Sequence, residues 1–403
     1  MAHIILFDNE IRDRLLPLTF TRPVCELRVG ILTIREKWER GLAAPSSFIT
    51  QDYLSGKFGM DYGDDNYFIN GSALPSPELL TLIRQMDFNE AFLLEDELIA
   101  ARLNATQLEK LMKDDDIDQL KGIPLQETPF LKVRQLTDLY RLNAQAIVED
   151  MQMLTRDRKS APLSGSNFAK AKDQIFLEEG AIVEGAFLNA TAGPIYIGPD
   201  AEVMEGSLIR GPVAIGQGAQ VKMGARLYGG TTIGPWCKVG GEVMNSVLLG
   251  YANKAHDGFL GHAYLGEWTN LGADTNTSNL KNNYDQIRLW SYPEERFTQT
   301  GTQFCGAILG DHSKTAINVS LNTGTVIGVN CNIFGAGFPR NFIPSFTWGG
   351  PDGFKTYPPD KAFEAMERVM ERRNKKLGIE DRLILLRVFE DEKKHRHWER
   401  HES

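Results

Sequence analysis

The sequence has few cysteines. Four stand in 403 residues (Cys25, Cys237, Cys305 and Cys331), far apart and with no Cys-x-x-Cys pair. That spacing argues against a disulfide scaffold and a structural zinc site, and fits a reducing cytoplasm. Long apolar runs are also missing. The longest candidates, Ile4–Phe7 and Leu383–Leu386, fall short of the ~18–20 residues of a membrane span, so no membrane partner is expected. The start, Met1-Ala2-His3-Ile4, has no basic region before an apolar stretch and does not read as a secretory signal. Positive charge is not in excess: 44 Lys+Arg stand against 53 Asp+Glu, a net charge of −9. This excludes a general nucleic-acid binder but leaves room for a local basic groove for phosphates. With 42% apolar and 24% charged residues, the chain can bury a sizeable core, and its length suits two or three domains.

What the sequence does have is a period. Ile197, Val203, Ile209, Ile215, Val221, Leu227, Ile233 and Val239 are spaced by six. Between them Ala201, Ser207, Val213, Ala219, Ala225, Thr231, Cys237 and Val243 sit two residues before each following register position, and all are small. Residues two apart share one face of a strand, so each short strand turns one large and one small residue inward. The other residues of each unit make a corner, and three strands close an 18-residue coil. Gly198, Gly216 and Gly234 mark one corner in successive coils, where a positive φ or close stacking favours glycine. The pattern predicts a parallel β-helix of hexapeptides. After a slip past Val239 the inward register reads Val247, Asn253, Phe259, Leu265 and Leu271. It breaks over 276–307, then returns as Leu309, Thr315, Leu321, Ile327 and Ile333, giving about six coils. The break reads as a protruding loop. Cys237 and Cys331 fall in the inward small phase and read as core residues.

The flanks differ. Residues 1–155 alternate strand signals (His3–Phe7, Tyr67–Asn70) with helical ones (Ile31–Arg40, Pro77–Met86, Asp138–Leu154), which predicts an α/β domain. Residues 156–174 read as a linker, 175–345 as the β-helix domain, and 346–403 as a helical tail. That tail has amphipathic segments at Lys361–Lys376 and Glu380–His395, expected to pack on the solenoid or a neighbouring subunit.

Of seven histidines, His3 precedes a core strand, and His395, His397 and His401 belong to a charged tail. His256, His262 and His312 each stand three residues after a register position, the outward phase, so none is expected in the core. Asp257 takes an inward small position beside His256, a broken local rule of the kind found at functional sites. Acyl transfer to an amine needs a base for the proton and donors for the oxyanion. Imidazole suits the first task and backbone N–H groups at glycine corners the second, so His256 is the candidate base. A metal held by His256 and His262 lacks clear third and fourth ligands.

The hexapeptide pattern resembles the left-handed β-helix of the hexapeptide acyltransferases, and the hand is implied by that resemblance. The segments Lys254-Ala255-His256 through Tyr264-Leu265-Gly266, Asn270-Leu271-Gly272-Ala273 and Ser278-Asn279 resemble the acetyltransferase half of the bifunctional enzymes that make UDP-N-acetylglucosamine. The resemblance implies His256 as base, Asn270, Lys254 and Arg226 as sugar-phosphate contacts, and Asn279, Ala273, Ala307 and Lys314 along acetyl-CoA. It further implies a homotrimer with the site between β-helices. The family pattern has a Lys in the segment equivalent to Glu242-Val243-Met244-Asn245 and a Tyr where this chain has Phe259, so reaction type is better supported than sugar identity.

The opening, Asp8-Asn9-Glu10, Leu16-Pro17-Leu18-Thr19-Phe20-Thr21-Arg22-Pro23 and Leu27-Arg28-Val29-Gly30, resembles a sugar-phosphate nucleotidyltransferase domain. The usual glycine-rich phosphate loop is absent, since no glycine follows Phe7 until Gly30. The usual Gly-Asp pair, whose Asp holds Mg²⁺, appears as Asn70-Gly71-Ser72. Arg22, Arg28 and Lys37 are the candidate nucleotide contacts and Asp8 the candidate metal ligand. The expectation is an acetyl-CoA-dependent glucosamine-1-phosphate N-acetyltransferase in the cytoplasm, coupled to Mg²⁺-dependent uridylyl transfer. Two alternatives stay open: nucleotidyl transfer alone with the β-helix as an oligomerising module, and a non-catalytic sugar-nucleotide-binding scaffold.

Overall fold

The computed structural model of the protein describes residues 2–113, 120–125 and 130–401. By packing, the chain divides into two compact units. The first comprises Met1–Leu15, Arg22–Leu27 and Leu32–Gln135, and the second Leu16–Thr21, Arg28–Ile31 and Leu136–Ser403. This division differs from a single cut at residue 155.

The first unit is built on a six-stranded sheet of β1 (His3–Phe7), β2 (Ser46–Ile49), β3 (Asn66–Asn70), β4 (Glu90–Leu94), β5 (Glu97–Leu103) and β6 (Lys121–Pro124), in the order β2-β1-β3-β5-β4-β6. β1 runs parallel to both β2 and β3, and β5 is antiparallel to β3. Ile4, Ile5 and Leu6 are fully buried, as a continuous apolar run in a strand covered on both faces requires. α1 (Ile34–Leu42) begins at Thr33, whose hydroxyl accepts from Glu36 N–H while the Glu36 carboxylate accepts from Thr33 N–H, a reciprocal cap. α2 (Pro77–Arg84) has Ser76 as its cap and proline in its first turn. The chain leaves β1 to one side for β2 and returns on the other side for β3. The carboxyl ends of β1 and β3 are therefore the reversal point at which open α/β sheets bind ligands.

The second unit is a parallel β-helix with three walls. Its inner columns are Leu188, Ile209, Leu227, Val243 and Leu260 on the first wall, and Ile197, Ile215, Ile233, Leu248, Leu265, Leu309, Ile327 and Ile343 on the second. The third carries Val203, Val221, Val239, Lys254, Leu271, Thr315 and Ile333. The expected small partners Ala201, Ser207, Ala219, Ala225, Thr231, Ala263, Thr275 and Ser313 are all 0% exposed. The second wall has nine strands, more than the six coils expected. Coils begin at Phe168, before the aliphatic period becomes regular, and the coil around Asn276–Thr277 continues inside the break. The rest of the break carries an antiparallel hairpin, Arg288–Ser291 with Arg296–Gln299.

The register after Val239 differs from the expected one by a residue. Leu248, Lys254 and Leu260 point inward, not Val247, Asn253 and Phe259. The reason is coil length: Ile233 pairs with Leu248 and Leu248 with Leu265, so these coils are shorter than their predecessors. Asp257 is correspondingly exposed rather than inward. The three corner glycines are explained by stacking. A Cβ on Gly234 would lie 2.2 Å from the Leu249 carbonyl oxygen and 2.3 Å from that of Leu248. Gly234→Ala is therefore expected to destabilise the unit by about 1–3 kcal/mol, read as a lower urea midpoint at unchanged slope.

The outer face of the second wall is covered by its own chain. Tyr196, Ala214, Thr232, Val247, Tyr264, Ile308 and Val326 are all buried. α3 (Asn143–Thr155) and the strap 28–31 lie on them: Asn143 Nδ2 donates to Gly230 O (2.9 Å), Thr232 Oγ1 to Gly30 O (2.9 Å), and Arg28 N–H to Tyr264 Oη (2.9 Å). The last coil is capped by α4 (Pro359–Glu371), α5 (Ile379–Asp391) and the turns after them. Phe346 packs edge-on against Phe389, and Ser345 N–H donates to Glu392. The expectation that these helices cover the solenoid holds. His395, expected in a charged tail, is only 7% exposed because this cap folds back on the hairpin. Among the described residues no helix is long and apolar enough to cross a membrane.

Candidate functional site

The sharpest polar constellation in the β-helix stands at the corner that follows the first wall. There Asn245, His262 and Asn279 occupy equivalent positions of successive coils, seventeen residues apart. Asn245 and His262 both hold positive φ, 42° and 48°, a conformation asparagine and histidine tolerate better than most residues. Asn245 Nδ2 lies 3.0 Å from His262 Nε2, and Asn279 Nδ2 lies 2.9 Å from His262 Nδ1. Phe304 stacks on the imidazole at 4.9 Å and Tyr140 meets it edge-on at 5.7 Å. Burial pushes the His262 pKa down to about 4, so the ring is neutral at pH 7. A neutral imidazole carries one N–H, so one of the two amides turns its oxygen to the ring. The arrangement fixes the tautomer: one ring nitrogen donates to an amide oxygen and the other accepts from an amide N–H.

The expected site residues are divided among several places. His256 is exposed at the corner before the first wall, in a groove of about 540 Å³ that it shares with Ala273, Lys222, Gly241 and Asp274. His262 and His312, expected to face outward, are buried at 8% and 7% exposure. His312 belongs to a ladder of positive-φ corner residues with Tyr251 and Trp268, whose rings stack. Lys254, expected on the sugar phosphate, is 1% exposed and points into the bore. Its Nζ donates to the carbonyls of His256 (2.5 Å) and Asp257 (3.1 Å). Arg226 is outward and pairs loosely with Glu242 at 3.6 Å. Asn270 and Lys314 line a cavity of about 440 Å³ with Lys238, Arg372 and Arg373. Burial pushes the Lys314 pKa down to about 8, and its Nζ donates to His312 O. Ala307, expected along acetyl-CoA, is a core residue at 0% exposure and cannot touch a ligand. Of the expected set, Asn279 alone joins the ladder. All four cysteines are buried and free, with pKa values pushed up by burial, so none is an activated thiol.

In the first unit the reversal point at the ends of β1 and β3 carries its own cluster. Asn9 Nδ2 and Asn70 Nδ2 both donate to Glu97 Oε1, at 2.7 and 3.0 Å, and Lys132 pairs with Glu97 Oε2. Burial pushes the Glu97 carboxyl up, but Lys132 and the two amides together outweigh it and hold the pKa below its ordinary value. Sequence reasoning missed Glu97, which the antiparallel entry of β5 brings to this edge, and Lys132, which an isolated antiparallel bridge to Ala73 places there. Arg22 and Lys37 are buried, at 7% and 3% exposure. In the second unit, Arg28 is likewise buried, and Nε donates to Leu249 O and one terminal nitrogen to Ile31 O. These contacts tie the strap to the β-helix and occupy the guanidinium that was expected on a nucleotide. Asp8 spends one oxygen on Val24 N–H (2.9 Å) and the other on Thr50 Oγ1 (2.6 Å). Burial raises its pKa to about 6, and no cluster of potential metal ligands gathers there among the described residues. Asp8 does not fit a divalent cation.

Residues 4–159 match the sugar nucleotidyl transferase family model. The chain is also similar to a bifunctional sugar-1-phosphate nucleotidylyltransferase/acetyltransferase of Sulfurisphaera tokodaii, at 33% identity over 144 residues, which is 35% of this chain and 35% of the relative. The match thus spans about a third of that relative's length. Among solved structures, a mutant N-acyltransferase from Bacillus cereus, in complex with dTDP-4-amino-4,6-dideoxyglucose and coenzyme A, aligns at 15% identity. It covers 51% of this chain and 91% of that one at a TM-score of 0.22, and a likeness of that size carries no inference. The nucleotidyl transferase match crosses the packing division, because the strap 28–31 and α3 lie within 4–159 yet pack with the β-helix.

Proposed function

We propose that the chain is a transferase with two activities: acetyl-CoA-dependent N-acetylation of glucosamine 1-phosphate, and uridylyl transfer to the product, giving UDP-N-acetylglucosamine. The observation that carries the acetyl half is the Asn245–His262–Asn279 ladder. As the sugar amine attacks the thioester carbonyl, the asparagine N–H that fills the ring lone pair swings away, neutral His262 takes the amine proton there, and it passes that proton to coenzyme A, which leaves as the thiol. The Asn279 amide donates to the oxygen that becomes negative. His262 rather than His256 is the base in this reading, because it is held in one tautomer and shielded from bulk water. The nucleotidyl half rests on the family match and on the Asn9–Asn70–Glu97–Lys132 cluster, where Lys132 offers a cation to a phosphate.

Assembly as a homotrimer belongs to the same proposal. Phe168, Phe187 and Leu208 form a column on the outer face of the first wall, at 54%, 52% and 46% exposure. An apolar ridge of that kind favours burial against a second copy. Four free, buried cysteines suit a reducing cytoplasm.

The pH profile tests the choice of base. With His262 at about 4, its base form persists on acidification, so the acid limb of kcat/KM for coenzyme A release is that of the substrate amine alone, at about 8, with no histidine limb down to about pH 5. An acid limb near the ordinary histidine value of about 6.5 would instead point to the exposed His256.

A further inference from the structure

One cavity of the second unit shares no lining residue with the His262 ladder. It measures about 610 Å³ and is formed by the inserted hairpin, the last coil and the C-terminal turns, all within the second unit. Its walls are aromatic. Trp290 stacks on Phe342 at 4.1 Å and 10°, and the His395 ring stands edge-on to Phe342 at 5.4 Å. Trp398 lines the opposite side, its indole N–H donating to Thr356. Arg288 and Arg340 are exposed at the cavity and, among the described residues, no carboxylate lines it. One atom here has no use in the fold: Trp290 Nε1 is buried and without a hydrogen-bond partner among the described residues, whereas His395 Nε2 faces the Glu392 carboxylate at 3.7 Å. A buried orphan polar atom calls for an absent group.

We infer that this cavity is a nucleotide site, in which a heteroaromatic base lies among Trp290, Phe342 and His395 and its phosphates meet Arg288 and Arg340. The orphan indole N–H asks for an acceptor beside a flat aromatic ring, which a purine or pyrimidine supplies in one group and a saturated sugar, with acceptor oxygens but no π face, does not. The two guanidiniums ask for an oxyanion, which bidentate Arg–phosphate contacts satisfy. An acyl chain would leave the indole N–H and both guanidiniums without a partner. A bare polyphosphate would leave the aromatic slot empty. The base has two sources, the adenosine diphosphate part of coenzyme A or a uridine nucleotide. The site uses no residue of the His262 ladder or the Glu97 cluster.

The test is calorimetric titration of the full-length chain with ADP, UDP and pyrophosphate, repeated on Arg340→Gln and Trp290→Phe. Arg340 is exposed and the phenyl ring keeps the stack, so neither variant threatens folding. The expected result is saturable binding of a nucleotide at least tenfold tighter than pyrophosphate, weakened about tenfold by each substitution, the loss of about one hydrogen bond. Preference for ADP assigns the site to coenzyme A and preference for UDP to the uridine nucleotide; both uphold it. Pyrophosphate binding as tightly as the nucleotides, nucleotide affinities unmoved by both substitutions, or no saturable binding at all would each overturn it.

Discussion

Replacing His262 by asparagine is expected to lower kcat for acetyl transfer by a factor of about 10²–10⁴, the usual contribution of a positioned general base. The KM for acetyl-CoA should change by no more than ~3-fold, because the group acts in the transition state rather than in ground-state binding. Asparagine retains polar atoms toward Asn245 and Asn279 and fits the positive φ of 48°, so the fold survives the change. Asn279→Ala should cost about 10²–10³ in kcat if its amide holds the oxyanion. His256→Ala should leave the rate within ~2-fold, since an exposed side chain outside the ladder has little to lose. Steady-state kinetics of coenzyme A release on the three variants decides among these outcomes. A large loss in His256→Ala with a silent His262→Asn would return the role to the exposed groove.

Lys254→Ala should destabilise the β-helix by about 3–5 kcal/mol. Truncating so long a side chain empties space inside the bore, and the carbonyls of His256 and Asp257 lose their donor in a buried setting. Lys254→Met keeps most of the stem volume and should lose about 1–3 kcal/mol, from the hydrogen bonds alone. The two variants separate packing from hydrogen bonding in urea denaturation. The pH dependence adds a signature. Burial pushes the Lys254 pKa from its ordinary 10.5 down to about 8. Between those values the unfolded chain binds more protons than the folded one, so this lysine makes stability rise with pH across that window. Subtracting the Lys254→Met curve from the parent curve isolates that rise, and an identical slope in both proteins would contradict the buried ammonium.

Much of the β-helix was legible because a six-residue period records an inside and an outside. Ile197 through Val239 are regular in sequence and in space. Legibility ended where the coils shortened: from Ile233 to Leu248 the spacing no longer marked the inward residue, and a lysine in an aliphatic column hid the register further. Once the coil shortens to seventeen residues, Asn245, His262 and Asn279 repeat at that spacing. That signal was present, but polar corner residues look like loop residues until the coil length is known. The first unit was legible as strands and helices, through Ile4–Leu6 and the Ser76-Pro77 start. Its Glu97–Lys132 pair was not, because strand pairing alone brings together residues so far apart in sequence. Arg28, expected on a nucleotide, proved to be a tie of the strap. A buried arginine and a substrate-binding arginine look alike in a sequence of loops flanked by proline and glycine.

The central claim is tested most directly by one mass-spectrometric assay of the full-length chain with glucosamine 1-phosphate, acetyl-CoA, UTP and Mg²⁺. The predicted result is UDP-N-acetylglucosamine, with N-acetylglucosamine 1-phosphate accumulating when UTP is left out. Formation of neither acetylated product, with the protein folded and the acetyl-CoA intact, would contradict it.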